Sequence, residues 1–180
     1  EPIIWHAPEN RFILFLDELH ISKSMRRVIN SNRFSVTMDK NFEAVIRQCA
    51  IVPRAGQGGT WITPEMRNAY IKLHQLGFAH SIEVWQENQL VGGVYGVSLG
   101  KCFFAESMFH AVSNASKVAL IKLVEFLKIN NFHFLDAQVF TEHVPTMGAR
   151  EIPRTKFMQL LNNGLSVANE NMKWNLEDNS

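Results

Sequence analysis

The stretch 90–109 constrains the fold more strongly than any other part of the chain. It contains two apolar, extended runs, 90–99 and 101–109, which meet at Gly100 and predict two consecutive strands. One carboxylate, Glu106, stands within the second run among aromatic and aliphatic residues. A charge inside so apolar a strand is costly unless it is paired. Glu106 is therefore either part of a functional site or a residue on the solvent face of its strand.

A second apolar run, 132–139, carries a similar pair of polar residues. Asp136 and Gln138 stand two positions apart, so they lie on the same side of a strand. Two strands that each hold a carboxylate in apolar surroundings predict one shared site, with Glu106, Asp136 and Gln138 as its members.

The composition narrows the class of protein. With 180 residues, 46% of them hydrophobic and 19% charged, the chain matches one soluble globular domain. No apolar run approaches the roughly 18 residues of a membrane span, and no secretory signal pattern is visible. We therefore expect a cytoplasmic protein without a membrane partner. Cys49, Cys102 and the seven scattered histidines lack metal-ligand spacing, so a metal enzyme is not expected, and each cysteine should pack as a small apolar residue.

The net charge of +1 hides an uneven distribution of charged residues. From residue 19 to residue 38 there is no acidic side chain, whereas Lys23, Arg26, Arg27 and Arg33 all fall within this segment. Such a patch can bind nucleic acid, although four cations more often form the solvated face of a helix.

Hydrophobic periodicity and capping residues predict strands and helices in a mixed order. Consecutive antiparallel strands are followed by a helix and a further strand, which predicts an α+β fold with a mixed, mostly antiparallel sheet flanked by helices. The predicted helix caps are Ser22, Asp39, Thr63 and either Ser113 or Asn114. The predicted strands span residues 12–16, 34–38, 80–86, 90–99, 101–109 and 132–139, and the last helix starts at Pro153.

This order of elements is similar to that of the GNAT acyltransferases, in which two central strands splay apart beside a helix N-terminus and leave a ligand cleft. Members that use acyl-coenzyme A hold its pyrophosphate in a glycine-rich loop before the central helix. The corresponding segment here, 107–117, contains no glycine, and the glycine-rich segment 54–59 precedes a different helix. If the fold is of this type, the acyl carrier is predicted to be something other than coenzyme A.

Seven short motifs are more specific than periodicity. They are GTWITPEM (59–66), LHQLGFAHSIEVW (73–85), LVGGVYGV (90–97), ESMF (106–109), NASKVAL (114–120), LDAQ (135–138) and MGAREIPR (147–154). In this order they resemble the bacterial leucyl/phenylalanyl-tRNA–protein transferases, and the similarity covers most of residues 2–162.

The resemblance implies transfer of Leu, Phe or Met from aminoacyl-tRNA to proteins with an N-terminal Arg or Lys, which marks them for degradation through the bacterial N-degron route. It implies no metal and no coenzyme, because the ester of the charged tRNA is already activated. It also implies a GNAT-like catalytic domain over 34–162, preceded at 1–33 by a linker, a strand and a basic helix as the remnant of an N-terminal region. Residues 163–180 are expected to form a flexible tail, and the chain is expected to act as a monomer.

The same resemblance assigns roles to individual residues. Asp136 and Gln138 would act on the attacking amine, Glu106 would hold the acceptor's amine or basic side chain, and Trp61 would stack on the terminal adenine of the tRNA. Phosphates of the acceptor stem would be contacted by Lys23, Arg26 and Arg27. The donor side chain would occupy an apolar pocket whose residues, taken alone, are more typical of plain core: Val94, Phe103, Ala105, Met108, Leu120 and Leu123.

The chain departs from the family pattern at some positions. Ala105 replaces a usual glycine, and the added methyl group is enough to shift the donor preference. Trp5 and His6 stand where a pair of tryptophans is usual. Two other functions are compatible with the sequence: an acyl-coenzyme A N-acyltransferase of related fold, and a catalytically weak relative that binds tRNA or peptides.

Overall fold

One mixed β-sheet carries the fold in the computed structural model of the chain. The structure describes residues 8–51, 60–138, 145–167 and 172–176, and Trp5, His6 and the segment 54–59 lie outside these ranges. The described strands are β1 (Asn10–Phe15), β2 (Ser35–Met38), β3 (Ala79–Gln86), β4 (Gln89–Leu99), β5 (Cys102–His110), β6 (Phe134–Gln138) and β7 (Arg150–Pro153). The described α-helices are α1 (Lys23–Asn30), α2 (Phe42–Ile51), α3 (Pro64–Gln75), α4 (Ala115–Ile129) and α5 (Arg154–Leu165).

The strands are ordered β2-β3-β4-β5-β6-β1-β7 across the sheet. β2 to β5 are antiparallel neighbours, whereas β6 lies parallel to β5 and follows α4 along the chain. β1, from within the first 33 residues, inserts antiparallel between β6 and β7. The predicted α+β class with a mixed, mostly antiparallel sheet is therefore confirmed. Among the described residues, no helix combines the length and the apolar character that a membrane crossing requires.

Helices cover both faces of the sheet. On one face, α4 packs on β3, β4 and β5 and forms the largest apolar cluster with residues that include Val94 and Leu123. On the other face, α2 and α3 pack around Tyr95, and α5 packs around Phe134. Because strand side chains alternate between the two faces, Val94 and Tyr95 point into opposite layers.

Short-range capping chemistry explains where two of the helices begin. Ser22 Oγ accepts a hydrogen bond from Met25 N at 3.2 Å, and Thr63 Oγ1 accepts one from Met66 N at 3.3 Å, so both predicted caps are confirmed. The Asn114 backbone occupies the N-cap of α4 as predicted, but its side chain makes no capping hydrogen bond. Each side-chain cap satisfies an N–H that the first turn of a helix leaves without a partner.

The predicted cap at Asp39 is wrong. Asp39 has a left-handed backbone with φ of +54°, and its Oδ1 accepts a hydrogen bond from Ser81 N on β3 at 2.8 Å. The first turn of α2 is capped instead by Asn41, whose Oδ1 accepts from Ala44 N at 3.2 Å. Tertiary partners on β3 therefore outcompete the local capping role of the Asp39 carboxylate.

The two turns of the β3-β4-β5 hairpins differ in their chemistry. Glu87 and Asn88 both have positive φ, as a two-residue turn of type I′ requires. Gly100 has a φ of +55°, and a Cβ there would lie 2.3 Å from Gly164 O, so the approach of α5 to this turn requires glycine. Lys101 N donates to the same Gly164 carbonyl at 2.9 Å. The second turn is thereby tied to the end of α5.

β7 was not predicted from the sequence. It pairs with β1 from Asn10↔Pro153 to Ile13↔Arg150, and only Ile152 among its four side chains is buried. A strand this short carries too little alternation to be recognised by periodicity.

Replacing Gly92 by Ala is expected to destabilise the fold. A Cβ at Gly92 would lie 2.5 Å from Ala115 Cβ, where the first turn of α4 crosses β4. Overpacking of this kind costs about 1–3 kcal/mol, to be measured as the free energy of unfolding in urea. Gln89→Ala, at an exposed position of the same strand, is the control and should change stability little. A Gly92→Ala variant as stable as the parent would contradict this packing.

Candidate active site

The predicted catalytic residues meet where β5 and β6 part. The two parallel strands pair at Cys102↔Phe134, Phe103↔Leu135 and Phe104↔Asp136, and the pairing ends there. Glu106 lies two residues beyond the last pair on β5, and Gln138 two residues beyond it on β6. A gap between parallel strands therefore opens beside all three predicted residues.

Two β-bulges direct the side chains at this gap. Between β4 and β5, Tyr95 pairs with Ser107 and Gly96 pairs with Ala105, so Glu106 is an extra residue on β5. Between β1 and β6, Phe12 pairs with Gln138 and Ile13 with Asp136, so Ala137 is an extra residue on β6. Bulges bend a strand and change the direction of its side chains. β5 and β6 therefore each carry a bulge beside the gap.

The Gln138 side-chain amide bridges β5 and β6 just beyond their last pair. The Gln138 backbone is left-handed, with φ of +66°, and its N–H donates to Asp136 Oδ1 at 2.7 Å in the manner of an Asx turn. Its Nε2 donates to Ala105 O at 3.2 Å across the gap, and its side chain also hydrogen-bonds the Glu106 carboxylate. The amide nitrogen is therefore used within the protein, whereas the amide oxygen accepts no hydrogen bond from a residue within the described ranges.

Asp136 is a fully buried carboxylate that pairs with Arg11. Its side chain is 0% exposed, and Arg11 Nε on β1 donates to its Oδ2 at 2.8 Å. Burial raises the pKa of Asp136, and the Arg11 charge and the Gln138 N–H partly offset that rise. The Arg11 guanidinium also lies over the Phe157 ring of α5, 5.3 Å from its centroid. This ion pair fixes Asp136 directly under Gln138.

Glu106 has neutral hydrogen-bond donors rather than a direct cationic partner among the described residues. Burial raises the pKa of Glu106; hydrogen bonds from Gln138 and from the Tyr70 hydroxyl oppose this rise, and the nearby Asp136 charge adds to it. Burial and the Glu106 charge together raise the pKa of Tyr70, so its hydroxyl stays a donor. A carboxylate in this setting is suited to bind a cation that arrives with a substrate.

Tyr70 connects Trp61 with Glu106. Its side chain is 41% exposed at the start of α3, and its ring meets the Tyr70 ring edge to face, with centroids 6.2 Å apart. The structure therefore places the predicted adenine-stacking residue one side chain away from Glu106.

The six predicted pocket residues belong to one apolar cluster on the α4 face. Ala105 and Met108 are partly buried against that cluster, and the other four are buried members of it: Val94, Phe103, Leu120 and Leu123. They come from β4, β5 and α4, and the end of the pairing between β5 and β6 lies next to Ala105. The structure thus brings the six predicted residues together. This arrangement is compatible with a plain core and with a pocket.

The three predicted phosphate contacts lie on the solvent face of α1. Lys23, Arg26 and Arg27 are exposed, whereas Met25 on the opposite side of the helix is buried in the α4-face cluster. The helix is therefore anchored by its apolar side and presents its cations outward.

Two residues of this group were not singled out as functional from the sequence. Arg11 is a single cation at the start of an apolar strand, and Tyr70 falls on the buried stripe of α3 as an ordinary core residue would. A cation flanking an apolar run could have indicated a buried acidic partner, but which acid it meets depends on the pairing of β1 with β6.

Comparison with known proteins places the chain in a family. Residues 13–162 match the sequence model of the family described as leucyl/phenylalanyl-tRNA protein transferase. The chain is 55% identical, over 165 residues, to the leucyl/phenylalanyl-tRNA–protein transferase of Syntrophus aciditrophicus, an alignment that covers 92% of this chain and 69% of the relative. It is 53% identical to the enzyme of the same name from Flavobacterium johnsoniae, with coverage of 89% and 76% respectively.

Among solved structures, L-PGS from Bacillus licheniformis shares the fold. It matches with a TM-score of 0.50 and 15% sequence identity, over 76% of this chain and 51% of L-PGS. At this identity the likeness concerns the fold alone.

Replacing Arg11 by Met should raise the pKa of Asp136 further, because the offsetting positive charge is lost while the burial stays. The native state, which already binds the Asp136 proton more tightly than the unfolded chain does, would bind it more tightly still. The variant should therefore lose stability over a wider pH range as the pH rises above the pKa of the unfolded state. Carbon-13 NMR of the Asp136 carboxyl, together with urea unfolding at several pH values, measures both effects. Arg150→Met, which breaks an exposed pair with Glu18, is the control; an unchanged Asp136 titration in Arg11→Met would contradict the ion pair.

Proposed function

The chain belongs to the leucyl/phenylalanyl-tRNA–protein transferase family, and we propose that it transfers Leu, Phe or Met from aminoacyl-tRNA to the α-amine of proteins with an N-terminal Arg or Lys. One observation carries the proposal: Glu106, Asp136 and Gln138 meet at the gap between β5 and β6, beside the apolar cluster that we propose as the donor pocket. Such a product would enter the N-degron route of degradation, and the reaction would take place in the cytoplasm.

The proposed reaction is the aminolysis of an ester. The acceptor nitrogen bonds to the aminoacyl carbonyl carbon, a tetrahedral oxyanion forms, and the bond from this carbon to the 3′ oxygen of the terminal adenosine breaks. The amine loses one proton and the departing oxygen gains one. Since the ester is already activated, positioning of the two reactants supplies much of the rate.

Gln138 is the proposed partner of the attacking amine. Its Nε2 is used by Ala105 O and Glu106, so its Oε1 can accept a hydrogen bond from the amine as the new bond forms. Asp136 supports this role through the backbone of Gln138, whose N–H it accepts. An amide oxygen held in this way orients the nitrogen lone pair toward the ester carbon.

Glu106 is the proposed binding site for the positive charge of the acceptor. Its pKa is raised by burial, and a cation beside it would favour the ionised form. The Tyr70 hydroxyl holds the carboxylate in place, while the Tyr70 ring contacts Trp61. Trp61 is proposed to stack on the terminal adenine, an interaction worth about 1–3 kcal/mol per base.

The donor side chain is proposed to enter the α4-face cluster through the gap. Ala105 links the two parts of the site, because its carbonyl accepts from Gln138 while its methyl group packs against the cluster. A donor held beside Val94 and Met108 would therefore have its carbonyl near the Gln138 amide.

The gap between adjacent parallel strands also supports a GNAT-like fold, which we propose for this chain.

The proposed function is tested by incubating the protein with radiolabelled Leu-tRNA or Phe-tRNA and a protein with an N-terminal Arg, and counting the label in protein. Asp136→Ala should lower transfer by about 10²-fold or more, the effect of a small misplacement of reacting groups, with tRNA binding retained. Asp17→Ala, which removes a carboxylate that is 86% exposed, is the matched control. Near-parental transfer by Asp136→Ala would show that Asp136 does not support the proposed role of Gln138.

Binding of tRNA should weaken steeply with salt if α1 contacts phosphates. Changing Lys23, Arg26 and Arg27 together to Ala should reduce the slope of log K against log salt by about 2–3, because each phosphate contact contributes about 0.7–0.9. Lys128→Ala, a cation on α4 paired with Asp17, is the control and should leave the slope unchanged. An unaltered slope in the triple variant would place the phosphate contacts elsewhere.

A further inference from the structure

The C-terminal segment 172–176 packs on the α4 face of the sheet. Met172, Trp174 and Leu176 are half-buried against the same cluster that contains the six proposed pocket residues. The Trp174 ring lies 5.8 Å from the Phe103 ring and 4.9 Å from the Phe126 ring, measured between centroids. A residue far from the catalytic group in sequence therefore contacts a proposed pocket residue directly.

Phe103 is the pocket residue that Trp174 contacts, and its ring is closely confined. It is 1% exposed, and a Cβ at Gly96 would lie 2.5 Å from the ring, so Phe103 packs directly on the backbone of β4. Along β5, Phe103 precedes Ala105 by two residues, about 7 Å further from Glu106 on the same face. Phe103 thus lies at the end of the proposed pocket that is farther from Glu106, and Trp174 packs beside it.

His80 holds the Trp174 indole in place. The two rings are stacked with centroids 3.6 Å apart and an interplanar angle of 6°. His80 Nδ1 lies 2.6 Å from Asp39 Oδ2, and its Nε2 lies 3.2 Å from Gly77 O. A ring hydrogen-bonded at both nitrogens is fixed in its plane and offers the indole a rigid surface.

Asp39 and His80, together with the neighbouring His74, have side chains of the types that bind metal ions, but their hydrogen bonds indicate a different use. Asp39, His74 and His80 each offer a ligand atom, and these atoms lie within 4.8 Å of one another. His74 Nδ1, however, lies 2.8 Å from Ala79 O, and both nitrogens of His80 have protein partners. Asp39 Oδ1 accepts from Ser81 N. The ligand atoms are therefore committed to a network that supports the indole.

We infer that Trp174 is a specificity-determining residue that closes the far end of the donor pocket by holding Phe103 in position. The inference rests on the proposed transfer of Leu and Phe. With the indole present, the pocket ends at a fixed aromatic ring, which suits a short donor side chain. Without the indole, Phe103 gains room to move away, the pocket becomes longer, and Leu loses contacts that the longer Phe side chain can still make.

The inference is tested by measuring kcat/KM for Leu-tRNA and Phe-tRNA in the parent, in Trp174→Ala and in Trp174→Phe. The ratio of Phe to Leu should rise about tenfold in Trp174→Ala, which is the discrimination that one methylene provides in an apolar pocket. Trp174→Phe keeps an aromatic ring on His80 and should change the ratio less. Lys173→Ala, an exposed neighbour in the same segment, is the control and should leave it unchanged. An unchanged ratio in Trp174→Ala, with a circular dichroism spectrum like that of the parent, would overturn the inference.

A second measurement does not depend on transfer. The non-hydrolysable 3′-amides of phenylalanyl-adenosine and alanyl-adenosine both carry the adenine that Trp61 would stack on, but only the phenylalanyl compound fills the pocket. The difference in tryptophan emission between the two complexes should be present in the parent and lost in Trp174→Phe. A difference that persists in Trp174→Phe would overturn the inference. Failure of the parent to transfer either donor would instead contradict the proposed function, and the emission difference would still decide the role of Trp174.

Discussion

The burial of the Asp136 carboxylate is the constraint on which the rest of the site depends. A charge with no exposure is tolerated only when other groups replace the lost water. Here the replacements are the Arg11 guanidinium and the Gln138 N–H. Arg11 reaches Asp136 because β1 lies between β6 and β7, so the insertion of β1 into the sheet is part of the chemistry of the site. The Gln138 N–H reaches it because the chain turns into the left-handed region immediately after β6.

That turn determines what the site can do. Once β6 leaves the pairing with β5, the Gln138 amide spans the opening and fastens to the Ala105 carbonyl and to Glu106. Glu106 lies on one face of the sheet together with Tyr70 and Trp61 from the α3 region. The apolar cluster under α4 lies on the other face. In the proposed reaction, the acceptor amine would approach the Gln138 amide from the first face, and the donor side chain would occupy the second.

Features of the fold that depend on near neighbours in the sequence could be predicted, whereas features that depend on distant residues could not. Ser22 and Thr63 act on backbone N–H groups three residues away, and their predicted roles as helix caps are confirmed. Asp39 has the residue type of a cap, but hydrogen bonds to β3 decide its position. β7 is too short to show a pattern, although it completes the sheet beside β1.

The site was predictable in its members but not in its connections. Glu106, Asp136 and Gln138 stand out because polar side chains are unexpected in apolar strands. Arg11 meets Asp136 across 125 residues, and no local pattern encodes that pairing. The pocket has the opposite difficulty, since Val94 and its partners have the same composition as a core. The gap between β5 and β6 beside Ala105 is the feature that favours the proposed pocket.

The most direct test of the whole account is a crystal structure of the protein with the 3′-amide of phenylalanyl-adenosine bound. The account predicts that the phenyl ring lies in the α4-face cluster beside Val94 and Met108, with the acyl carbonyl carbon next to the Gln138 amide and the adenine on Trp61. A ligand bound elsewhere, or a phenyl ring directed to solvent while Gln138 remains without a substrate contact, would contradict it.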